Sequence, residues 1–433
     1  MSIQLPSHLT IQNGHLMTGT HDLVDLAGRF GTPLYVTNED QILDNFERYE
    51  SALSAWYPNV RLLFAAKANG NLAVLRALGR AGAGADVFSS GELMLALRAG
   101  MKPERLLFNG SSKTADDLRL AVETGVRVSV DSIDELNQLS RIASGQKKTA
   151  QIAFRVNPAL EVPTHPKIAT GLATTKFGIP AAEILSAYQA ALDAPYVVPV
   201  GLHCHIGSQI LDVEPFARAA AVMANVAGEV TDIGVNLEFL DIGGGLGVPY
   251  HRSTDVAPTP EEYAQAVMPV FLDGINEIGI SPEFWVEPGR WLLAESSVLL
   301  TKVNSVKRAY KTFANVDAGF NLLLRPAMYD SWHEVIMANK ADSEGVEEVT
   351  VAGPICETGD ILAADRLLPT PGAGDLIAVL DCGAYGFAMS SQYNGRPRCP
   401  EVMVKGDRAE VIRRGETLDD LCATMQVPSW QQE

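Results

Sequence analysis

Between residues 61 and 290 the chain alternates between two kinds of segment, and this alternation limits the folds open to it. Apolar runs rich in β-branched residues recur at about 61–66, 85–88, 105–108, 127–131, 151–156, 198–204, 238–242 and 284–287, which makes eight candidate strands. Helical patterns lie between most of them, at 71–81, 91–100, 114–125, 133–144, 181–194, 213–234 and 260–279. Several open on capping signals. Thr114-Ala-Asp-Asp and Ser132-Ile-Asp-Glu135 each place a side-chain acceptor just before an acidic first turn. Eight strands alternating with helices build a mainly parallel α/β sheet. The count and the length match a (β/α)8 TIM-type barrel, the open doubly wound sheet being the alternative with the same local pattern.

Past residue 290 the texture changes. Ser297 to Val306, Glu348 to Ala352, Leu376 to Leu380 and Glu401 to Val404 read as strands, with turns such as Gly406-Asp407 between them and a terminal helix near 416–425. Leu9-Thr-Ile11 and Leu34-Tyr-Val36 have the same character. We therefore expect a second, all-β domain of Greek-key-like type that draws on both ends of the chain. Residues 1–40 would form its N-terminal segment, 41–290 the barrel and 291–433 the rest of the β domain. No apolar stretch reaches membrane-spanning length, since Ala219 to Ala227 is too short, and the N-terminus lacks the basic and apolar regions of a secretory signal. Five widely spaced cysteines without a C-x-x-C pair suit free thiols in a reducing cytoplasm. A formal charge of −18 speaks against nucleic acid as a partner, because neutralising phosphates needs a basic surface.

In such a barrel the chemistry sits at the C-terminal ends of the strands. Reading those ends in order gives Lys67, then Asp86 and Ser89, Asn109, Asp131, Arg155 and Asn157, His203 and His205, Gly243-Gly244-Gly245, and Glu287 with Gly289 and Arg290. A full ring of polar groups on apolar runs is costly to bury without a ligand. Lys67 ends the run Leu62-Leu63-Phe64-Ala65-Ala66; it is either a snorkelling lysine or a desolvated, nucleophilic amine able to form a Schiff base. Gly243 to Gly245 follow the seventh strand, where barrels often bind phosphate, and Ser208 lies beyond the sixth. Glu287 could keep a heterocyclic nitrogen protonated or merely pair with Arg290, and His205 could stack on a flat ring or be structural. No metal-ligand spacing stands out.

The segments FAAKANGN, ADVFSSGEL, FNGSSKT, VDSIDEL, FRVNP, THPKIATGLATTKFGI, HCHIGSQ, DIGGGLG, VEPGR, VDAGFNLLLRPAMYD, GPICETGD and GAYGFAMSSQYNGRPR follow one another in this order over nearly the whole chain. Together they resemble the fold-type III pyridoxal-phosphate-dependent decarboxylases, and within them the branch acting on diaminopimelate. The resemblance implies that Lys67 carries the cofactor, pyridoxal 5'-phosphate, in a Schiff base. It implies that His205 stacks on the ring, that Ser208 and Gly243, Gly244 and Gly245 hold the phosphate, and that Glu287 faces the pyridine nitrogen. Asp86, Gly289, Arg290 and Tyr385 join the cofactor-binding set. Arg290, Arg325, Tyr329, Glu357 and Tyr385 would bind substrate, and Arg325 and Tyr329 share a face if Arg325-Pro-Ala-Met-Tyr329 forms a helical turn. Cys356 would handle a proton and, with Glu357, reach into the active site of a partner subunit, so that the resemblance implies a homodimer with shared sites. The implied reaction is decarboxylation of meso-2,6-diaminopimelate to L-lysine, the last step of lysine biosynthesis. The alternative is a sister enzyme acting on ornithine, a carboxylated polyamine or a D-amino acid. Thr358, Leu322 and Ser90 depart from the family's usual serine, aspartate and glycine.

Overall fold

A computed structural model describes residues 4–432 except Ala173. The chain divides into two compact units: one holds residues up to Gln41, Tyr250–Ser253 and everything from Ala294, and the other holds Ile42–Pro249 and Thr254–Leu293.

The second unit is a closed barrel. Its strands are Val60–Ala65, Gly84–Val87, Leu106–Phe108, Arg127–Val130, Ala150–Asn157, Val197–Cys204, Phe239–Asp241 and Glu283–Val286. Each runs parallel to the next. The last pairs with the first in parallel, Phe284 opposite Val60 and Val286 opposite Leu62, which excludes the open sheet. The seven expected helices are all present, and Thr114 and Ser132 cap theirs by accepting from the N–H of Asp117 and Glu135. Inside the barrel Leu63, Leu107, Ala153, Val200, Phe239 and Trp285 pack together, with the Phe239 and Trp285 rings stacked at 3.8 Å. This plug of side chains makes the barrel a core rather than a pore and leaves the strand ends for polar residues.

A helix that the sequence reading missed, Glu39–Ser54, precedes the first strand. Ile42, Phe46, Tyr49 and Leu53 recur along it at helical spacing and are all buried. The eighth strand is followed only by the single turn Arg290–Leu293. The long helix packs there instead: Asn45 donates to the Leu292 carbonyl at 3.1 Å and Tyr49 meets Trp291 edge-on at 5.5 Å.

The other unit is built on a β-sheet whose central strand is Ser297–Arg308. Leu34–Asn38 lies beside it, antiparallel, and also pairs in parallel with Glu401–Lys405, so that a strand from the N-terminal segment sits inside the sheet. All five of its residues are buried, because side chains alternate between two cores. Tyr35 joins Leu299 and Val303 on one face, and Leu34 and Val36 join Val298 and Leu300 on the other. The strands Thr312–Val316, Val335–Met337, Ile361–Leu368 and Arg408–Arg413 were not read from the sequence, nor was the helix Leu23–Phe30. The terminal helix is shorter than expected, Leu418–Cys422. Among the described residues no helix is long and apolar enough to cross a membrane.

Candidate active site

The first barrel strand stops at Ala65, and one 3-10 turn, Ala66–Ala68, carries Lys67. The desolvated amine considered from the sequence is not what this turn presents. The Lys67 side chain is 30% exposed, and its Nζ pairs with Asp86 Oδ2 at 2.6 Å. Asp86, on the second strand, is buried, and Asn109, just past the third, is buried beside it. The Asn109 carboxamide donates from Nδ2 to both Asp86 Oδ1, at 2.7 Å, and Glu287 Oε1. One amide thus bridges two buried carboxylates. Glu287 also faces His203 Nε2 at 3.4 Å, and His203 Nδ1 lies 2.8 Å from Ser129 Oγ.

Asp241 completes a buried group with His203 and Glu287 whose polar atoms lie within 4.8 Å of one another. Burial and the neighbouring Glu287 push the Asp241 carboxyl well above its ordinary range, so it keeps its proton. Burial would raise Glu287 too, but the facing His203 and the Lys67 ammonium outweigh it and hold Glu287 ionised. Burial and Glu287 raise Asp86 against the pull of Lys67. Burial first, and then the charge of Lys67, lower His205 far below the usual imidazole range, so its ring is neutral. Its Nδ1 accepts the Gly244 N–H at 3.2 Å, which puts the ring proton on Nε2.

The glycine loop is a cradle that side chains would fill. A Cβ on Gly244 would lie 2.0 Å from the Glu287 carbonyl oxygen and one on Gly243 2.5 Å from that of Cys204, and Gly243 and Gly245 have φ of +74° and +124°. Ser208 and Arg290 meet directly, Arg290 Nη2 donating to Ser208 Oγ at 2.9 Å, and Gly289 abuts Ala65 and Ala68. An amine, an ionised carboxylate, a neutral imidazole and a tight glycine turn with an arginine beside it are the chemical complement of a phosphorylated pyridine aldehyde, so the residues fit pyridoxal phosphate.

Other members of the predicted ring support the loop after the fifth strand. Asp131 accepts the Gly178 N–H at 2.8 Å, Asn157 donates to the carbonyls of Leu172 and Phe177, and Arg155 lies 4.5 Å above the Phe177 ring. Ser89 is a helix cap, accepting from Glu92 N–H. Lys113 was overlooked. Its buried Nζ donates to the carbonyls of Gly110 and Ser129 and to Glu135 Oε1, tying the turn after Asn109 to the fourth strand. A lysine followed by a helix cap looks exposed in sequence, and nothing local marks it as buried.

In the β-sheet unit, Arg325 and Tyr329 open and close the expected helical turn, Arg325–Tyr329. Arg325 is buried, donating to His333 Nε2 at 2.9 Å and Ser331 Oγ at 3.2 Å and lying 4.1 Å above the Tyr250 ring. His333, also unread in the sequence, is buried and holds the Leu380 carbonyl at 2.8 Å through Nδ1. Because that carbonyl only accepts, Nε2 is the lone pair that Arg325 meets. Tyr329 is half-buried, and Cys356 and Glu357 are exposed in the loop before Asp360. Tyr385 takes a left-handed backbone, φ +59°, and is half-buried. Of the three departures, Leu322 is a core residue whose carbonyl accepts the Tyr35 hydroxyl, Thr358 is exposed, and Ser90 opens a helix, its N–H donating to Asp117.

Residues 39–294 match the family model described as the pyridoxal-binding domain of pyridoxal-dependent decarboxylases. The diaminopimelate decarboxylase of Archaeoglobus fulgidus is 51% identical over 94% of this chain and 96% of its own length. The crystal structure of diaminopimelate decarboxylase from M. jannaschii in co-complex with L-lysine is 37% identical, with a TM-score of 0.92 over 98% of both chains. The lysine/ornithine decarboxylase of Vibrio vulnificus, solved with putrescine, is 22% identical over 89% of this chain and 98% of its own, with a TM-score of 0.76, a likeness of fold alone. The barrel and its β-sheet partner unit are therefore those of the pyridoxal-dependent decarboxylases, and the chain belongs to the diaminopimelate decarboxylase family within them.

Proposed function

We propose that this protein decarboxylates meso-2,6-diaminopimelate to L-lysine and carbon dioxide, the last step of lysine biosynthesis, with pyridoxal 5'-phosphate bound in the barrel. The observation that carries the reaction type is the chain Lys67–Asp86–Asn109–Glu287, an amine linked to an ionised buried carboxylate through Asp86 and one bridging amide. The near-full-length likeness to diaminopimelate decarboxylases carries the substrate.

When bound, the cofactor supplies a protonated pyridine that accepts the electron pair left when the carboxylate departs. Lys67 would hold the cofactor through its Nζ, the primary amine the site presents for a pyridine aldehyde. Glu287 would face the pyridine nitrogen; because it stays ionised, it would favour the protonated ring. Asp86 and Asn109 orient these two groups. His205, neutral and flat, packs on the ring without competing for its charge. Gly243, Gly244 and Gly245 would line the phosphate site, their lack of side chains letting it approach the turn closely, with Ser208, Arg290 and Gly289 beside them.

The distal end of this substrate is an amino-acid zwitterion. Arg325, Arg290 and Tyr329 take its carboxylate, Glu357 its ammonium, and Tyr385 contacts cofactor and substrate. Cys356 delivers the proton to Cα after carbon dioxide leaves. In this reading Cys356 and Glu357 serve the barrel of a second copy, so the working form is a homodimer in the cytoplasm. A sister enzyme for ornithine would face an amine-only distal end, which calls for acidic groups where this chain has the buried Arg325.

The test is carbon dioxide release by the purified protein with pyridoxal phosphate and, in turn, meso-diaminopimelate, ornithine, lysine and arginine. Release from diaminopimelate alone is expected. Release from another of these, with none from diaminopimelate, would overturn the assignment.

A further inference from the structure

The loop that carries Cys356 and Glu357 has neither helix nor strand to hold it, yet two successive residues far along the chain grip it. Cys356 N–H donates to Asn394 Oδ1 at 3.0 Å, and Asn394 Nδ2 donates to Cys356 Sγ at 3.2 Å. The next pair repeats the arrangement: the Tyr393 hydroxyl donates to Glu357 Oε1 at 2.6 Å. Tyr393 is itself set by stacking on Phe320 at 5.7 Å and 16°. The base of the loop is tied separately, by Asp360 accepting the N–H groups of Ile355 and Phe320, both at 2.6 Å.

We propose that Asn394 and Tyr393 are positioning residues for the reaction, Asn394 fixing the Cys356 thiol and Tyr393 the Glu357 carboxylate. The inference rests on the functional reading above and extends it to residues given no role there. The amide orientation follows from the contacts: the Cys356 N–H needs an acceptor, so Oδ1 faces it and the NH2 faces sulfur. A sulfur that accepts from Asn394 still carries its S–H as a donor, and the Tyr393 hydroxyl is also within its reach. Once that proton is given up, the same N–H faces a thiolate and the bond becomes charge-assisted. Asn394 has φ +58° and ψ +23°, a left-handed conformation that asparagine tolerates better than most residues and that turns its amide back onto the loop. Without this grip an exposed cysteine in a loop would sample several rotamers and meet Cα in few of them. Tyr393 is linked to Glu357 strongly enough that its hydroxyl titrates only near 12, the carboxylate bond being the main cause.

Glu357 and Tyr393 adjoin Cys356, and Asp360 at the base of the loop feels Glu357 and Arg396. The test uses the full-length holoenzyme with Cys422→Ser, because Cys356 and Cys422 are the exposed thiols among the described residues. Asn394→Asp keeps the acceptor for the Cys356 N–H but puts a carboxylate against sulfur. It should move the pH profile of iodoacetamide alkylation of Cys356 about one unit higher, about tenfold slower at a fixed pH below it. It should lower kcat with little change in KM, while Tyr393→Phe, which keeps the stack, should raise KM with little change in kcat. Alkylation profiles that superimpose for wild type and Asn394→Asp would overturn the thiol half, and an unchanged KM in Tyr393→Phe would overturn the carboxylate half. If the alkylation shift appears while the wild type releases no carbon dioxide from diaminopimelate, the positioning of the thiol stands and the substrate assignment falls.

Discussion

Asn109 is the residue on which the charge pattern of the barrel end turns. Its Nδ2 keeps Asp86 and Glu287 in one array with Lys67, and without it two buried carboxylates would face one another with less to separate them. Hydrogen bonds to charged groups are worth about 1.5–3 kcal/mol each. Asn109→Ala should therefore weaken pyridoxal phosphate binding by at least about tenfold, read from absorbance titration of the apoprotein. Lys67→Ala should abolish both the long-wavelength absorbance of lysine-linked cofactor and turnover, while leaving the thermal transition in place. An unchanged absorbance would remove Lys67 from its assigned role. The sequence located both residues at strand ends, but not that one amide spans the second strand and the eighth. That link runs over 178 residues of chain, and no local pattern encodes it.

Among the elements, the long helix Glu39–Ser54 shows how a legible signal is passed over. Its apolar positions 42, 46, 49 and 53 form a stripe at helical spacing, but the helix lies ahead of the strand–helix alternation that organises the rest. Its position follows from a deficit at the other end of the barrel, where the last strand is followed by a single helical turn. Phe46 is 2% exposed, and Phe46→Ala should cost about 3–5 kcal/mol, measured as a shift in the urea midpoint. The missed strands of the β-sheet unit have a different cause. Arg408–Arg413 is mostly exposed and half charged, Ile361–Leu368 is interrupted by Asp365 and Arg366, and Val335–Met337 has only three residues. Their pairing with neighbouring strands, rather than their own pattern, makes them strands.

At the scale of the whole molecule the proposed dimer makes a prediction that no monomer can satisfy. Lys67→Ala and Cys356→Ala should each be inactive alone and should regain about a quarter to a half of the activity when mixed as heterodimers, because one shared site is then intact. No recovery in verified heterodimers would count against Cys356 acting across an interface. Stability should also respond to pH through Asp381, which is wholly buried and pairs with Arg252 at 2.6 Å. Burial raises its carboxyl to about 6 despite that arginine, from 3.8 for an unburied one. The native state therefore holds a proton between those values that the unfolded chain has released. The stabilisation is full below about pH 4 and is lost as the pH rises through 6. The difference is about 3 kcal/mol. Urea denaturation from pH 4 to 8 should show this fall in the wild type and a flatter profile in Asp381→Asn, and parallel profiles would refute it.

The sequence by itself determined a parallel α/β sheet of eight strands, because eight runs of buried-strand character separated by capped amphipathic helices have few other ways to bury their apolar faces. It also determined which residues stand at the strand ends, since a strand that stops at a buried run hands its next residue to the barrel rim. Tertiary structure alone decided the closure of the last strand on the first and the insertion of Leu34–Asn38 between strands from far down the chain. It also decided the protonation pattern, with Asp241 neutral and Glu287 ionised. The reason is the same in each case. Local periodicity records what one segment must bury, whereas register, proton sharing and the Asn394 grip on Cys356 depend on which distant groups arrive within hydrogen-bonding distance, and only packing sets that.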